Sequence, residues 1–358
     1  MDGDAPAGGF TRSEGLQFAV IGALAVVAAA LHLAHADDVL VFVVCGIAVA
    51  GMAHVLGVAT EQVGEASGPR VSALLNATFG NAAELIIVVL AIRQGGELID
   101  VARYSIIGSV IGNVLLILGA SLLVSGLRHG RQSFSAAVAG VNGTMLLLAT
   151  SALALPTLFS SLATIPASDS VDLSHGVAVV MAVLYVAYLV HAFRSPDESG
   201  AAHGQARWSR GLALAVLAVS AVATGVLSEF LVGAIEPTIA QTGVSAVFIG
   251  LIVVPLVGNV AEHFAAVKIA AKGDIDFAMG IAFNSALQVA LAVTAVAVAA
   301  GWVFGHELAL AFGAPEIAVL IAAAVLAAFI AVSGRATWLE GLELLAIYAI
   351  AAIAFWYV

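Results

Sequence analysis

The sequence predicts an all-α polytopic membrane protein of eleven transmembrane helices: one N-terminal helix followed by two five-helix repeats of inverted topology. Three observations lead there. Of 358 residues, 62% are hydrophobic and only 10% are charged, whereas soluble proteins carry about 25% charged residues. Apolar runs of about 20 residues, long enough to cross a bilayer, follow one another with short polar or Gly/Pro punctuation. A five-residue word recurs almost unchanged, as Gly80-Asn81-Ala82-Ala83-Glu84 and Gly258-Asn259-Val260-Ala261-Glu262, each copy inside such a run.

The runs lie near 16–35, 39–60, 71–93, 99–125, 134–155, 175–193, 211–233, 243–267, 275–300, 314–333 and 338–358. The first, with Ala34-His35-Ala36 behind it, has the outline of a cleaved signal peptide. Asp2, Asp4 and Glu14 against a lone Arg12 favour a retained span instead. The one sizeable polar connection runs from Ser195 to Arg210 and contains Pro196-Asp197-Glu198 and Gly200, the composition of a flexible linker. The domain plan is therefore a tail and first helix over 1–38, a first five-helix repeat over 39–194, a cytoplasmic linker over 195–210 and a second five-helix repeat over 211–358.

The basic residues test this map. Arg12, Arg70, Arg128, Arg131, Arg194, Arg207, Arg210, Lys268, Lys272 and Arg335 fall on one side of it, and only Arg93 and Arg103 on the other. Lys and Arg collect in cytoplasmic loops, so the N-terminus is expected in the cytoplasm and the C-terminus outside. With the first span set aside, the repeated word falls in the second span of each block of five. Five is odd, so the two copies cross the membrane in opposite directions, the inverted repeat common in secondary transporters. Ala59-Thr60-Glu61 is echoed by Leu227-Ser228-Glu229, and Ser109-Val110-Ile111-Gly112-Asn113 loosely by Asn284-Ser285-Ala286-Leu287-Gln288.

Composition also excludes. A formal net charge of −11 with scattered basic residues argues against a nucleic-acid partner. The single Cys45 rules out an internal disulfide and a thiolate metal site.

Each copy of the word places a carboxylate at membrane depth, at a cost of about 3 kcal/mol. A Glu paired with a buried Arg, or capping a kink, is the structural alternative, but no Lys or Arg lies deep in any run. Gly80 beside Asn81 weakens the helix, and a local opening frees carbonyl oxygens toward a cavity. Pro255 and Gly258 do the same before Asn259 and Glu262. Carboxylate, amide and carbonyl oxygens form a hard-cation ligand set of the kind calcium prefers. Glu84 and Glu262 are thus the candidate metal ligands and proton carriers, with Asn81, Asn259, Gly80, Gly258, Asn76 and Thr78 in support. Two carboxylates neutralise one divalent ion and repel each other without it, so calcium and protons compete for one site.

Ser109, Asn113, Ser285 and Gln288 are second-tier candidates for the pathway, interhelical hydrogen bonding being the alternative. His263 lies roughly 100° around the helix from Glu262, as a gate, a proton relay or a packed neutral side chain. Glu61 and Glu229 stand near span ends, at an entrance or snorkelling, and Glu316 is similarly placed early in its run.

The stretch Asn76-Ala77-Thr78-Phe79-Gly80-Asn81-Ala82-Ala83-Glu84-Leu85-Ile86 resembles the first signature of the cation/proton exchangers, the Ca2+/H+ antiporter family within the calcium/cation antiporter superfamily. Pro255-Leu256-Val257-Gly258-Asn259-Val260-Ala261-Glu262-His263 resembles the second. Ala59-Thr60-Glu61, Ser228-Glu229-Phe230-Leu231 and Trp338-Leu339-Glu340-Gly341 are also similar to that pattern. The resemblance covers about residues 40 to 358. It implies calcium export or sequestration driven by the proton gradient, with the signature glutamates binding the ion. Ca2+ and H+ are then substrates, the bilayer is the partner, no cofactor is expected, and a homo-oligomer is left open. The acidic helix of eukaryotic relatives is reduced to Asp197 and Glu198, which suggests a prokaryotic member of the cytoplasmic membrane. Asn284 stands where relatives usually have Gly, and Ser333 where they usually have Asp. A sodium/calcium exchanger, or an antiporter for another divalent ion such as Mn2+, is the alternative. An intramembrane enzyme lacks its motif: there is no His-Glu-x-x-His and no convincing G-x-S-x-G.

Overall fold

Helices account for nearly all regular structure in the computed structural model, which describes residues 9–162, 167–194 and 206–358. Residues 195–205 of the expected linker lie outside the described residues. In chain order the helices are α1 (Arg12–Leu33), α2 (Asp38–Ser67), α3 (Pro69–Phe79), α4 (Ala82–Gln94), α5 (Leu98–Ile111), α6 (Leu118–His129), α7 (Ala136–Leu162), α8 (Ala167–Arg194), α9 (Arg210–Gly233), α10 (Ile235–Thr242), α11 (Ala246–Phe248), α12 (Val254–Gly258), α13 (Val260–Ala270), α14 (Ile275–Gln288), α15 (Thr294–Phe304), α16 (Ala314–Ser333) and α17 (Trp338–Trp356). Among the described residues, π-helical turns interrupt them at Gly112–Ile117, Ile249–Val253 and Val289–Val293. One departure from an all-helical chain is the antiparallel pair of β1 (Gln132–Ser133) with β2 (Arg335–Ala336).

Among the described residues, ten helical stretches are long and apolar enough to cross a membrane. The pair Ala246–Gly258 and Val260–Ala270, bent by 60°, makes an eleventh if it is one span. Their ends are set by local chemistry. Thr11 and Glu14 form a capping box at the start of α1, as Thr337 and Glu340 do for α17, which satisfies orphan N–H groups. Gly305 and Gly334 end α15 and α16 at φ of 72° and 65°, a left-handed conformation that suits glycine. Several helices outrun their apolar cores: α2 reaches Ser67, and α9 with α10 reaches Thr242, because polar residues continue the helix beyond the bilayer-length run.

The chain divides into two compact units. The first contains the residues up to Leu90, Ala192–Val244 and Val257–Ala261. Here α2 is the central element, packed against α9, α3 and α1, and Gly51 lets Ile21 of α1 approach closely. The end of the linker docks on this unit. The Gln62 side-chain carbonyl accepts from the backbone N–H of Arg207 at 2.8 Å and of Trp208 at 3.1 Å. Trp208 stacks edge-on with Phe10 and Phe18, and Arg207 pairs with Glu14 at 2.7 Å.

The second unit contains Ala91–His191, Ser245–Leu256 and Glu262–Val358. Small residues set its helix contacts, as is usual where lipid offers no hydrophobic drive. A Cβ on Gly126 would collide with the Trp338 backbone, one on Gly341 with Leu123, and one on Gly108 with the Leu251 carbonyl. The segment between α15 and α16 is irregular but packed inward. Leu308, Leu310 and Phe312 are buried, while the backbone N–H groups of Leu310 and Phe312 donate to the hydroxyls of Ser174 and Thr157 at 2.9 Å each.

Candidate cation site

The break expected at Gly80 is present. α3 ends at Phe79, the Gly80 N–H still bonds the Asn76 carbonyl at 2.8 Å, and α4 starts anew at Ala82. The opening is one residue pair wide, so Glu84 sits in the first turn of α4, where the positive end of the helix dipole favours a carboxylate. The second copy breaks at the matching residue but bends more: α12 ends at Gly258, Asn259 is the joint, and Glu262 sits in the first turn of α13, with the two helices bent by 60° where Leu74–Gln94 continues as one span. Glycine weakens the helix at both joints, and the residue after it carries an amide instead of a helix-favouring apolar side chain.

In the first unit these motifs meet. Glu84 is fully buried, and Asn81 and Asn259 are almost so. The Asn259 side-chain amide donates to Glu84 Oε2 at 3.3 Å. Gly258 makes the approach possible, since a Cβ there would lie 3.1 Å from Glu84 Cβ and 3.3 Å from its Cα. Asn76 and Thr78 are exposed on the turn before the break, and the Thr78 hydroxyl donates to the Leu74 carbonyl of its own helix at 2.8 Å. Glu61 is exposed and Glu229 half-buried toward the ends of α2 and α9. Thr224 and Ser228, one turn apart on α9, are buried hydroxyls without hydrogen-bond partners among the described residues. Thr224 lies outside the repeated motifs, and its one mark in the sequence is the four-residue spacing to Ser228.

The second unit holds the remaining candidates. Ser105, Ser109 and Asn113 follow at four-residue spacing along α5 and into the Gly112–Ile117 π turn, all buried. Asn113 is 1% exposed, and neither polar atom of its side chain has a hydrogen-bond partner among the described residues. Ser285 and Gln288 are buried on α14, just before the Val289–Val293 π turn. Such turns recur at functional sites because the extra residue redirects side chains. Glu262 is partly exposed as a residue, but its Oε2 is buried without a hydrogen-bond partner among the described residues. His263 is half-buried beside it. Glu316 is buried in the first turn of α16. The Asn284 side-chain Oδ1 accepts from the Tyr188 hydroxyl at 2.7 Å, a contact between α14 and α8 that the sequence did not signal. No group of three or more His, Cys, Asp or Glu side chains is placed to hold a metal among the described residues; the oxygens on offer are single carboxylates with amides.

A buried carboxylate at the joint of a broken, membrane-length helix is the construction of a secondary ion transporter, not of an enzyme with a nucleophile or resident metal. The chain belongs to the sodium/calcium exchanger protein family, whose model matches residues 38–194 and 212–357, and within it to the Ca2+/H+ antiporters. It is similar to the Ca(2+)/H(+) antiporter ChaA of Bacillus subtilis, 36% identical over 332 residues, which span 90% of this chain and 93% of that protein. The vacuolar calcium ion transporter of Schizosaccharomyces pombe is 35% identical over 327 residues, 88% of this chain and 79% of that one. A solved structure of the selenium-substituted Ca2+/H+ antiporter protein YfkE matches with a TM-score of 0.83 at 35% identity, covering 96% of this chain and 99% of that one.

Proposed function

We propose that this protein exchanges Ca2+ for H+ across the membrane by alternating access, with Glu84 and Glu262 as the carboxylates that take either the cation or protons. The observation that carries this reading is the Asn259 to Glu84 hydrogen bond: two near-identical words, far apart in sequence, supply a carboxylate and an amide to one buried point. Relatives named as Ca2+/H+ antiporters support the substrate assignment. One divalent ion balances two carboxylates, and protons replace it with the same charge balance. Asn81 and Asn259 add amide oxygens, and the joints at Gly80 and Gly258 add carbonyls. Asn76 and Thr78 support the cation site with side-chain oxygens, and Ser109, Asn113, Ser285, Gln288, His263, Glu61 and Glu229 line or gate the route.

The membrane plan that goes with this is eleven spans, the first followed by inverted repeats over 39–194 and 211–358. Helix joints at Asn81 and Asn259, and π turns at Gly112–Ile117 and Val289–Val293, recur at corresponding places and support the duplication. The charge distribution supports a cytoplasmic N-terminus and linker and an extracytoplasmic C-terminus, and the reduction of the acidic helix of eukaryotic relatives to Asp197 and Glu198 supports residence in a prokaryotic cytoplasmic membrane.

Calcium uptake into vesicles reconstituted with the purified protein tests the function. Flux should follow an imposed pH gradient without sodium, external acid should compete with calcium, and calcium loading should release protons. Flux that requires a sodium gradient replaces proton coupling with sodium/calcium exchange.

A further inference from the structure

One end of the second unit carries five exposed cations, Arg128, Arg131, Lys268, Lys272 and Arg335. They come from three separate connections of the chain, which named contacts tie together. Arg128 Nη1 donates to the Ala271 carbonyl at 3.4 Å, and the His129 ring reaches the same oxygen at 3.2 Å, which joins the end of α6 to the turn after α13. The β1–β2 pair sets Ser133 opposite Arg335, and the Phe134 N–H bonds the Gly334 carbonyl at 3.1 Å.

The acidic groups at this end are Asp274, Asp276, Glu340 and Glu343. The first three are committed: Asp274 accepts from the Phe277 N–H, Asp276 from the Ser135 N–H, and Glu340 from the Thr337 N–H. All three sit at helix N-termini, where the helix dipole offsets their charge. Arg131 acts electrostatically on Glu340, but no ion pair within 4 Å among the described residues involves any of the five cations. Flanking them are exposed apolar side chains, Leu127, Val332, Trp338 and Leu339. Tryptophan with aliphatic neighbours beside a cluster of exposed cations is the composition of the bilayer–water boundary. The anions at that depth are lipid phosphates, and the planar fork of arginine matches two phosphate oxygens.

We propose that this cluster of connections binds the phosphodiester headgroup of an anionic phospholipid. Arg128, Arg131 and Arg335 grip the phosphate, Lys268 and Lys272 add attraction, and Trp338 and Leu127 lie along the acyl chains.

The test uses the full chain in neutral detergent, titrated separately with phosphatidylglycerol, phosphatidylcholine and soluble glycerol phosphate while the thermal unfolding midpoint is read. Phosphatidylglycerol should raise the midpoint, and the other two should not. The combined variant Arg128→Gln, Arg131→Gln, Arg335→Gln should bind phosphatidylglycerol more weakly by about fivefold per cation removed, roughly a hundredfold in all. A control variant, Arg12→Gln with Arg210→Gln, should keep the wild-type response. In the wild type the phosphatidylglycerol effect should fade as salt is raised, a reading that does not depend on any variant folding. Equal shifts with phosphatidylcholine, a full shift in the triple variant, or a shift indifferent to salt each overturn the proposal. The same shift with glycerol phosphate turns the cluster into a free-anion site and overturns the lipid assignment.

Discussion

Asn259 donates its side-chain amide to Oε2 of Glu84 across 3.3 Å. The bond closes a loop of the chain that neither helix defines by itself, and it puts the joint of one broken helix against the first turn of another. A side-chain amide is adaptable here. Its nitrogen holds the carboxylate in place, and its oxygen is of the kind a hard cation takes as ligand.

Replacing Glu84 or Glu262 by Gln keeps the volume and removes one of the two carboxylates to which the proposed mechanism assigns the divalent ion. Each variant should insert and fold, as judged by yield and monodispersity, while calcium uptake driven by a pH gradient falls to the level of empty vesicles. Uptake near the wild-type rate in either variant would refute the paired-carboxylate mechanism.

Gly258→Ala should impair both stability and transport. The added methyl meets the Cβ and Cα of Glu84 at 3.1 and 3.3 Å, inside ordinary contact distance, and overpacking of this kind costs about 1–3 kcal/mol. Gly280→Ala is the matched control, because nothing lies within 4 Å of its added carbon. It should leave the unfolding midpoint unchanged or slightly raised. Equal behaviour of the two variants would remove the close approach from the account of the site.

Asn113→Ala should separate stability from function. The Asn113 side chain is 1% exposed with both polar atoms unpaired among the described residues, so its loss removes a desolvation cost of about 1–3 kcal/mol instead of a bond. The thermal midpoint should hold or rise while the calcium concentration for half-maximal uptake increases. A clear fall in the midpoint would show that Asn113 is a structural hydrogen-bonding residue.

Composition marked a membrane protein, with 62% hydrophobic and 10% charged residues, and the apolar runs of about 20 residues made it helical, because the closed barrel that can also satisfy its backbone in a bilayer uses alternating strands of about 10 residues. The repeated word located both helix joints to within a residue, since glycine followed by asparagine is where a membrane helix is locally weakest. What the sequence did not disclose is who meets whom. That Asn259 reaches Glu84, that Gln62 caps Arg207 and Trp208, and that Tyr188 bonds Asn284 all depend on contacts between residues far apart in the chain. Such contacts are set by helix packing, which small residues such as Gly108, Gly126 and Gly341 permit through close backbone approach. The π turns were equally hidden, because their dihedrals and residue types are those of the apolar helices on either side. Local propensity marks where a helix yields, and only the packed structure decides which side chain the opening faces.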